Sequence, residues 1–124
     1  MLVVWIVLAA TIAVPVQARA QTRSADIASL EASAQAGDAA AQTKLGLMLI
    51  TGDGTRANVK AGMSWLEKAG HGGNPLAQRL MGDILSMGKL VPKDDAAALV
   101  WYQRAAEGGD PDAQSELGVR YAKG

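Results

Sequence analysis

A spacing of 36 residues runs through this chain of 124. Gly37-Asp38-Ala39-Ala40-Ala41-Gln42 recurs as Gly73-Asn74-Pro75-Leu76-Ala77-Gln78, and again as Gly109-Asp110-Pro111-Asp112-Ala113-Gln114. Gly46, Gly82 and Gly118 keep the same step, as do Gly52, Gly88 and Gly124, while Trp65 pairs with Trp101 and Ala69 with Ala105. No gap interrupts the register. A period of this length marks a repeat protein, in which each unit buries its apolar face on its neighbours and no single central core forms. Function in such a fold belongs to an extended surface more readily than to a reaction centre.

The repeat unit resolves into two helices. Asp38, Asn74 and Asp110 stand just before apolar periodic runs, and Pro75 and Pro111 follow at the first helical position. A side-chain acceptor serves the orphan amides there, and proline is already fixed near the helical φ. Ala41, Leu45, Met48 and Leu49 then recur at i, i+4, i+7 and i+8, an amphipathic stripe. Gly52, Gly88 and Gly124 fall where a left-handed glycine ends a helix. Helix A is therefore expected over 39–51, 75–87 and 111–123. After a polar turn, Asp53 to Asn58 or Lys89 to Lys93, helix B begins near Val59 and Asp94, with Asp94 and Asp95 favourably placed at its positive N-terminal end. Ala61, Trp65, Leu66 and Ala69 of the first helix B match Ala97, Trp101, Tyr102 and Ala105 of the second.

The units are thus 37–72, 73–108 and a partial 109–124, which stops with helix A complete. Residues 21–35 read as a capping helix, a degenerate helix B in which Leu30 takes the place of Leu66 and Ser29 that of Trp65. The other end is open, so further repeats or a partner are expected to cover Leu117 and Tyr121. Gly46, Gly82 and Gly118 lie inside helix A, where glycine costs about 1 kcal/mol relative to alanine. That cost points to a close approach of another backbone. Trp65 and Trp101 are expected to pack between hairpins, and Trp65→Ala to cost roughly 3 to 5 kcal/mol. A stacking platform for a sugar or peptide is the less favoured role for these two rings.

Residues 1–20 have a different character. Leu2 to Val14 is an almost unbroken apolar run, followed by Pro15 and the small-x-small pattern Ala18-Arg19-Ala20. The reading is a cleaved export signal, with the mature chain beginning at Gln21 and residing in the periplasm or outside the cell. The run is shorter than the about 20 residues that span a hydrocarbon core, so an uncleaved anchor is the weaker alternative. No Lys or Arg precedes it, a departure from the usual signal pattern, and no cysteine adjoins it for lipid attachment. Without residues 1–20 the chain carries 11 Lys plus Arg against 12 Asp plus Glu, no footprint for nucleic acid or an anionic membrane. The absence of cysteine excludes a disulfide framework and thiolate chemistry.

The search for a reaction centre gives no catalytic, cofactor or metal residues. His71 is the only histidine, in a Gly-rich turn, and reads as a solvated loop residue with no second ligand to form a metal set. Gly52-Asp53-Gly54-Thr55 lacks the P-loop Lys-Ser/Thr and the EF-hand oxygen ladder. Asp94 and Asp95, adjacent on a helix, point about 100° apart and do not face each other as an acid-base pair would. No Ser-His-Asp or Cys-His set is available.

These residues resemble the Sel-one-like repeats, relatives of the tetratricopeptide repeats, with the pattern A-x-x-x-L-G-x-x-Y-x-x-G-x-G followed by K-A-x-x-W and A-A-x-x-G. Ala41, Leu45, Gly46, Gly52, Gly54, Lys60, Ala61, Trp65 and Ala69 match in the first unit, with Leu49 at the Tyr place. Ala77, Gly82, Gly88, Ala97, Trp101, Ala105, Ala106 and Gly109 carry the second, while Met81, Leu85 and Leu90 depart. Ala113, Leu117, Gly118, Tyr121 and Gly124 carry the third. The resemblance covers residues 36–124 and implies an all-α fold, a right-handed superhelix of antiparallel helix hairpins. It also implies adaptor work on protein or peptide partners, often in exported bacterial proteins of envelope signalling, polysaccharide regulation or host contact. A cell-wall or β-lactam-acting hydrolase is the alternative, known from a cysteine-rich exported branch that this cysteine-free chain does not match.

If helix A lines the concave side, as in the tetratricopeptide relatives, the register turns one residue set per repeat toward a groove. Leu47, Arg79, Asp83 and Val119, with Thr43 and Ser115 beside them, are the expected contact residues. Their mixture of apolar exposure and centred charge suits a protein segment. No single sign dominates, so a polyanion is a poorer fit.

Overall fold

In the computed structural model, which describes residues 16–123, the chain forms six α-helices and, among the described residues, no strand. They are α1 (Val16–Gln35), α2 (Ala39–Thr51), α3 (Val59–His71), α4 (Pro75–Met87), α5 (Asp95–Glu107) and α6 (Pro111–Ala122). Helices α2, α4 and α6 are the three A helices, and α3 and α5 the B helices that follow the first two. The expected leader lies outside the described residues over 1–15, and 16–20 already belong to α1.

Helix boundaries follow local chemistry. Asp38, Asn58, Asn74, Asp94 and Asp110 are N-caps, each accepting a backbone amide two or three residues on at 2.9 to 3.1 Å. Pro75 and Pro111 open α4 and α6, where their missing amide costs nothing. Gly52 and Gly88 end α2 and α4 at φ 77° and 68°, in the left-handed region where a side chain would be strained. His71 is the last residue of α3, not part of the turn after it, and its exposed ring lies 3.6 Å from Glu67.

Packing is strongest between consecutive helices, the pattern of a solenoid, and the hairpins α2–α3 and α4–α5 are the most extensive pairs. Three buried clusters run along the stack. Ala34, Ala41 and Leu45 join α1 to α2. Leu66, Ala69, Ala77, Met81, Ile84 and Trp101 tie α3, α4 and α5 together. Ala98, Tyr102, Ala105 and Ala113 hold α5 to α6. Alanine recurs wherever helices cross, so close approach of backbones supplies much of the dispersion that large side chains supply elsewhere.

The glutamine of the repeated Ala-Gln pair is a staple between units. Gln42 and Gln78, both buried, donate through Nε2 to the carbonyls of Ala34 and Gly70 at 3.0 and 2.9 Å. Gln114 makes the same bond to Ala106 at 3.2 Å. Each adds a second donor to a carbonyl at the end of the preceding helix that already accepts the amide of Gly37, Gly73 or Gly109.

The two tryptophans are not equivalent in burial. Trp101 is 9% exposed, with Arg104 above its ring and His71 beside it, whereas Trp65 is only half-buried under Lys68. A methyl at Gly70 would stand 2.7 Å from Trp101. One repeat earlier that place is held by Ala34, which does carry the methyl, and Trp65 accordingly sits further out.

Candidate interaction surface

The A-helix positions expected to form a groove have three different environments. On α2, Thr43 is 3% exposed and its hydroxyl donates to the carbonyl of Ala39 at 2.8 Å, so it faces the interior. Leu47 is half-buried.

On α4, Arg79 and Asp83 are joined to each other and to the neighbouring repeat. Arg79 Nη1 lies 3.0 Å from Asp83 Oδ2, and its Nε lies 3.4 Å from Asp110 and 3.8 Å from Asp112. The Tyr102 hydroxyl donates to Asp83 Oδ1 at 2.6 Å and meets Ser86 Oγ at 3.4 Å. Arg120 lies over the Tyr102 ring and within 3.8 Å of Asp95 and Glu116. Arg79 thus acts as a clasp from α4 to the start of α6. Burial raises the Tyr102 phenol above its ordinary range, and its hydrogen bond to Asp83 pushes in the same direction, so it remains a donor at neutral pH.

On α6, Ser115 is exposed and Val119 is 52% exposed. The same side of the A helices shows Leu76 and Met87 of α4, 41% and 58% exposed. The surface is therefore an apolar set, Leu76, Met87 and Val119, beside an internally paired charge cluster at Arg79 and Asp83. Among the described residues no three metal-ligating side chains converge, and no helix is long and apolar enough to cross a membrane.

The three interior glycines also differ. A methyl on Gly46 would stand 2.9 Å from the Gly62 carbonyl oxygen and 2.9 Å from Leu66, and one on Gly82 would stand 2.8 Å from the Tyr102 ring. These two mark the expected close approach, to backbone at Gly46 and to an aromatic face at Gly82. Gly118 has nothing within 4 Å of the same place.

Comparison with solved structures places this architecture among known ones. A Sel1 repeat protein from Oxalobacter formigenes superposes with a TM-score of 0.75 at 39% identity, over 79% of this chain and 74% of that one. A protective antigen of uropathogenic Escherichia coli strains that displays an SLR fold gives a TM-score of 0.74 at 35% identity, over 78% of this chain. The match takes in 21% of that longer protein. Comparison with curated proteins returns no relative. The sequence model of the Sel1 repeat matches residues 39–74, 75–110 and 111–124, in the register of the three A helices and the two B helices. Sel1 repeat proteins generally act as protein-interaction scaffolds. With three contiguous matches and a shared helical-repeat fold, this chain belongs to the Sel1 repeat family.

Proposed function

We propose that the protein is an exported, non-catalytic scaffold, working in the periplasm or outside the cell, that holds a protein or peptide segment along its A helices. The observation that carries this reading is the pair Leu76 and Met87, 41% and 58% exposed on one face of α4. Large apolar side chains left in water on one helical face are a common mark of an interaction site. The Arg79–Asp83 pair beside them offers a partner polar groups whose positions are already fixed. Roles in envelope signalling or polysaccharide regulation fit an adaptor of this kind, and the apolar run at Leu2 to Val14 with Ala18-Arg19-Ala20 is the basis for export.

The test is affinity capture from an envelope extract with the protein and with a Leu76→Asp, Met87→Asp double variant. Both positions are exposed, so helical content should be unchanged. A partner held at least tenfold more weakly by the variant supports the reading. Equal retention by both proteins moves the site away from the A helices, and turnover of a β-lactam or cell-wall substrate by the purified protein would overturn the non-catalytic assignment.

A further inference from the structure

Helix α4 turns an apolar line toward solvent. Leu76, Leu80 and Met87 recur at i, i+4 and i+11, which places them on one helical face over three turns, roughly 16 Å along the axis. Leu76 and Met87 are exposed and Leu80 is half-buried. Asp83 shares the face, but its two carboxylate oxygens are engaged by the Tyr102 hydroxyl and by Arg79. It therefore offers little charge to a partner.

The free charge stands on the next A helix. Asp112 and Glu116 of α6 hold the register places of Leu76 and Leu80, so each carboxylate lies one helix spacing, about 8 to 10 Å, from a leucine of that line. Arg79, three residues after Leu76, shows the closeness by reaching Asp110 at 3.4 Å and Asp112 at 3.8 Å. Along α4, α6 and the Asp110 cap there are four carboxylates, Asp83, Asp110, Asp112 and Glu116, against two guanidiniums, Arg79 and Arg120. Arg79 is engaged by Asp83 and Asp110, and Arg120 is shared with Asp95 and stacked over Tyr102. Asp112 and Glu116 keep side chains 75% and 48% exposed, and their contacts to these guanidiniums are long, at 3.8 Å. They are also four positions apart on one helix, where like charges repel. A cation set between them relieves that repulsion.

Taking the A helices as the binding face, as proposed above, we infer that the occupant of this line is a cationic amphipathic helix about three turns long. Its apolar side chains, repeating at the same spacing, lie on Leu76, Leu80 and Met87, and a lysine or arginine on its flank reaches Asp112 and Glu116. Apolar contact supplies affinity, while the two carboxylates select the sign and orientation of what binds. An acidic helix of equal apolarity would bring like charge to the same wall.

Fluorescence anisotropy tests this with two labelled helical peptides of about four turns, one built of leucine and lysine and the other with glutamate at every lysine position. The native protein should bind the leucine–lysine peptide at least tenfold more tightly, and less tightly as salt rises. Asp112→Lys with Glu116→Lys should reverse the preference. Glu67→Lys with Glu107→Lys makes the same change of net charge on the B helices and should leave the preference in place. Leu76→Ser with Met87→Ser should weaken binding at least tenfold at unchanged charge. All six positions are exposed, and circular dichroism checks that each variant is folded. Equal binding of the two peptides overturns the inference, as does a preference that Glu67 and Glu107 govern as strongly as Asp112 and Glu116. So does failure of the native protein to bind either peptide. An envelope partner that the native protein nonetheless captures, and that is lost when Leu76 and Met87 are altered, would then leave the scaffold reading standing without its cationic partner.

Discussion

Replacing the interior glycine of each A helix by alanine should give opposite signs in successive repeats, although the three positions are identical in the sequence pattern. Relieving a helix-interior glycine gains about 1 kcal/mol when nothing else changes. At Gly118 nothing lies within 4 Å of the new methyl, so Gly118→Ala should stabilise the monomer by up to about 1 kcal/mol. At Gly46 the methyl would meet the Gly62 carbonyl at 2.9 Å, and backbone between two packed helices cannot step aside as a flexible side chain can. Overpacking of that kind costs about 1 to 3 kcal/mol, which outweighs the propensity gain and leaves a net loss of up to about 2. Gly82→Ala should fall on the same side, because the Tyr102 ring 2.8 Å away is held by its bond to Asp83. Chemical denaturation reads all three. In a domain of this size 1 kcal/mol corresponds to about 4 to 8 °C in Tm, so the signs are resolvable. A stabilising Gly46→Ala or a destabilising Gly118→Ala would refute the packing described for the A–B hairpin.

Three further outcomes follow from the same geometry. Trp101→Ala should cost about 3 to 5 kcal/mol and Trp65→Ala clearly less, since only the first ring is buried; equal losses by denaturation would contradict the difference in burial. Tyr102 has its folded-state pKa raised, so the stability it contributes is complete below the ordinary phenol value of about 10 and is lost as pH rises through the folded value. An alkaline fall in Tm that is absent from Tyr102→Phe would bear this out, and an unchanged alkaline profile in that variant would count against it. Arg79→Ala should cost about 1 kcal/mol at low ionic strength and less in high salt, because the side chain clasps Asp83 and Asp110 in a partly exposed setting; a loss indifferent to salt would point to packing by its alkyl stem.

What could be read from the sequence was what local chemistry decides. Caps at Asp38, Asn74 and Asp110, prolines at the first helical position and left-handed glycines at Gly52 and Gly88 all act within a few residues, so α2 and α4 fall on the expected bounds and α6 ends one residue short. Features set by residues far apart were harder to see. Arg79 read as a groove charge, but Asp110 lies 31 residues on, and helical-face arithmetic cannot register that contact. Thr43 shares its register position yet faces inward, bonded to Ala39. Period carries over identity but not neighbours. Gly118 has the place of Gly46 without a helix above it, and Trp65 that of Trp101 without a glycine beneath it. The stapling role of Gln42, Gln78 and Gln114 did leave a signal, an amide side chain kept at one register in three units. Pairing that signal with the carbonyl-rich end of the preceding helix would have found it.

Stability in this chain passes from helix to neighbouring helix: among the described residues α3, α4 and α5 are covered on both sides and α6 on one. Native-state hydrogen exchange tests this. Amides of α3, α4 and α5 should open together and exchange slowest, with those of α6 at least tenfold faster, as expected of a quasi-one-dimensional fold. Protection in α6 equal to that in α4 would contradict this picture of the stack.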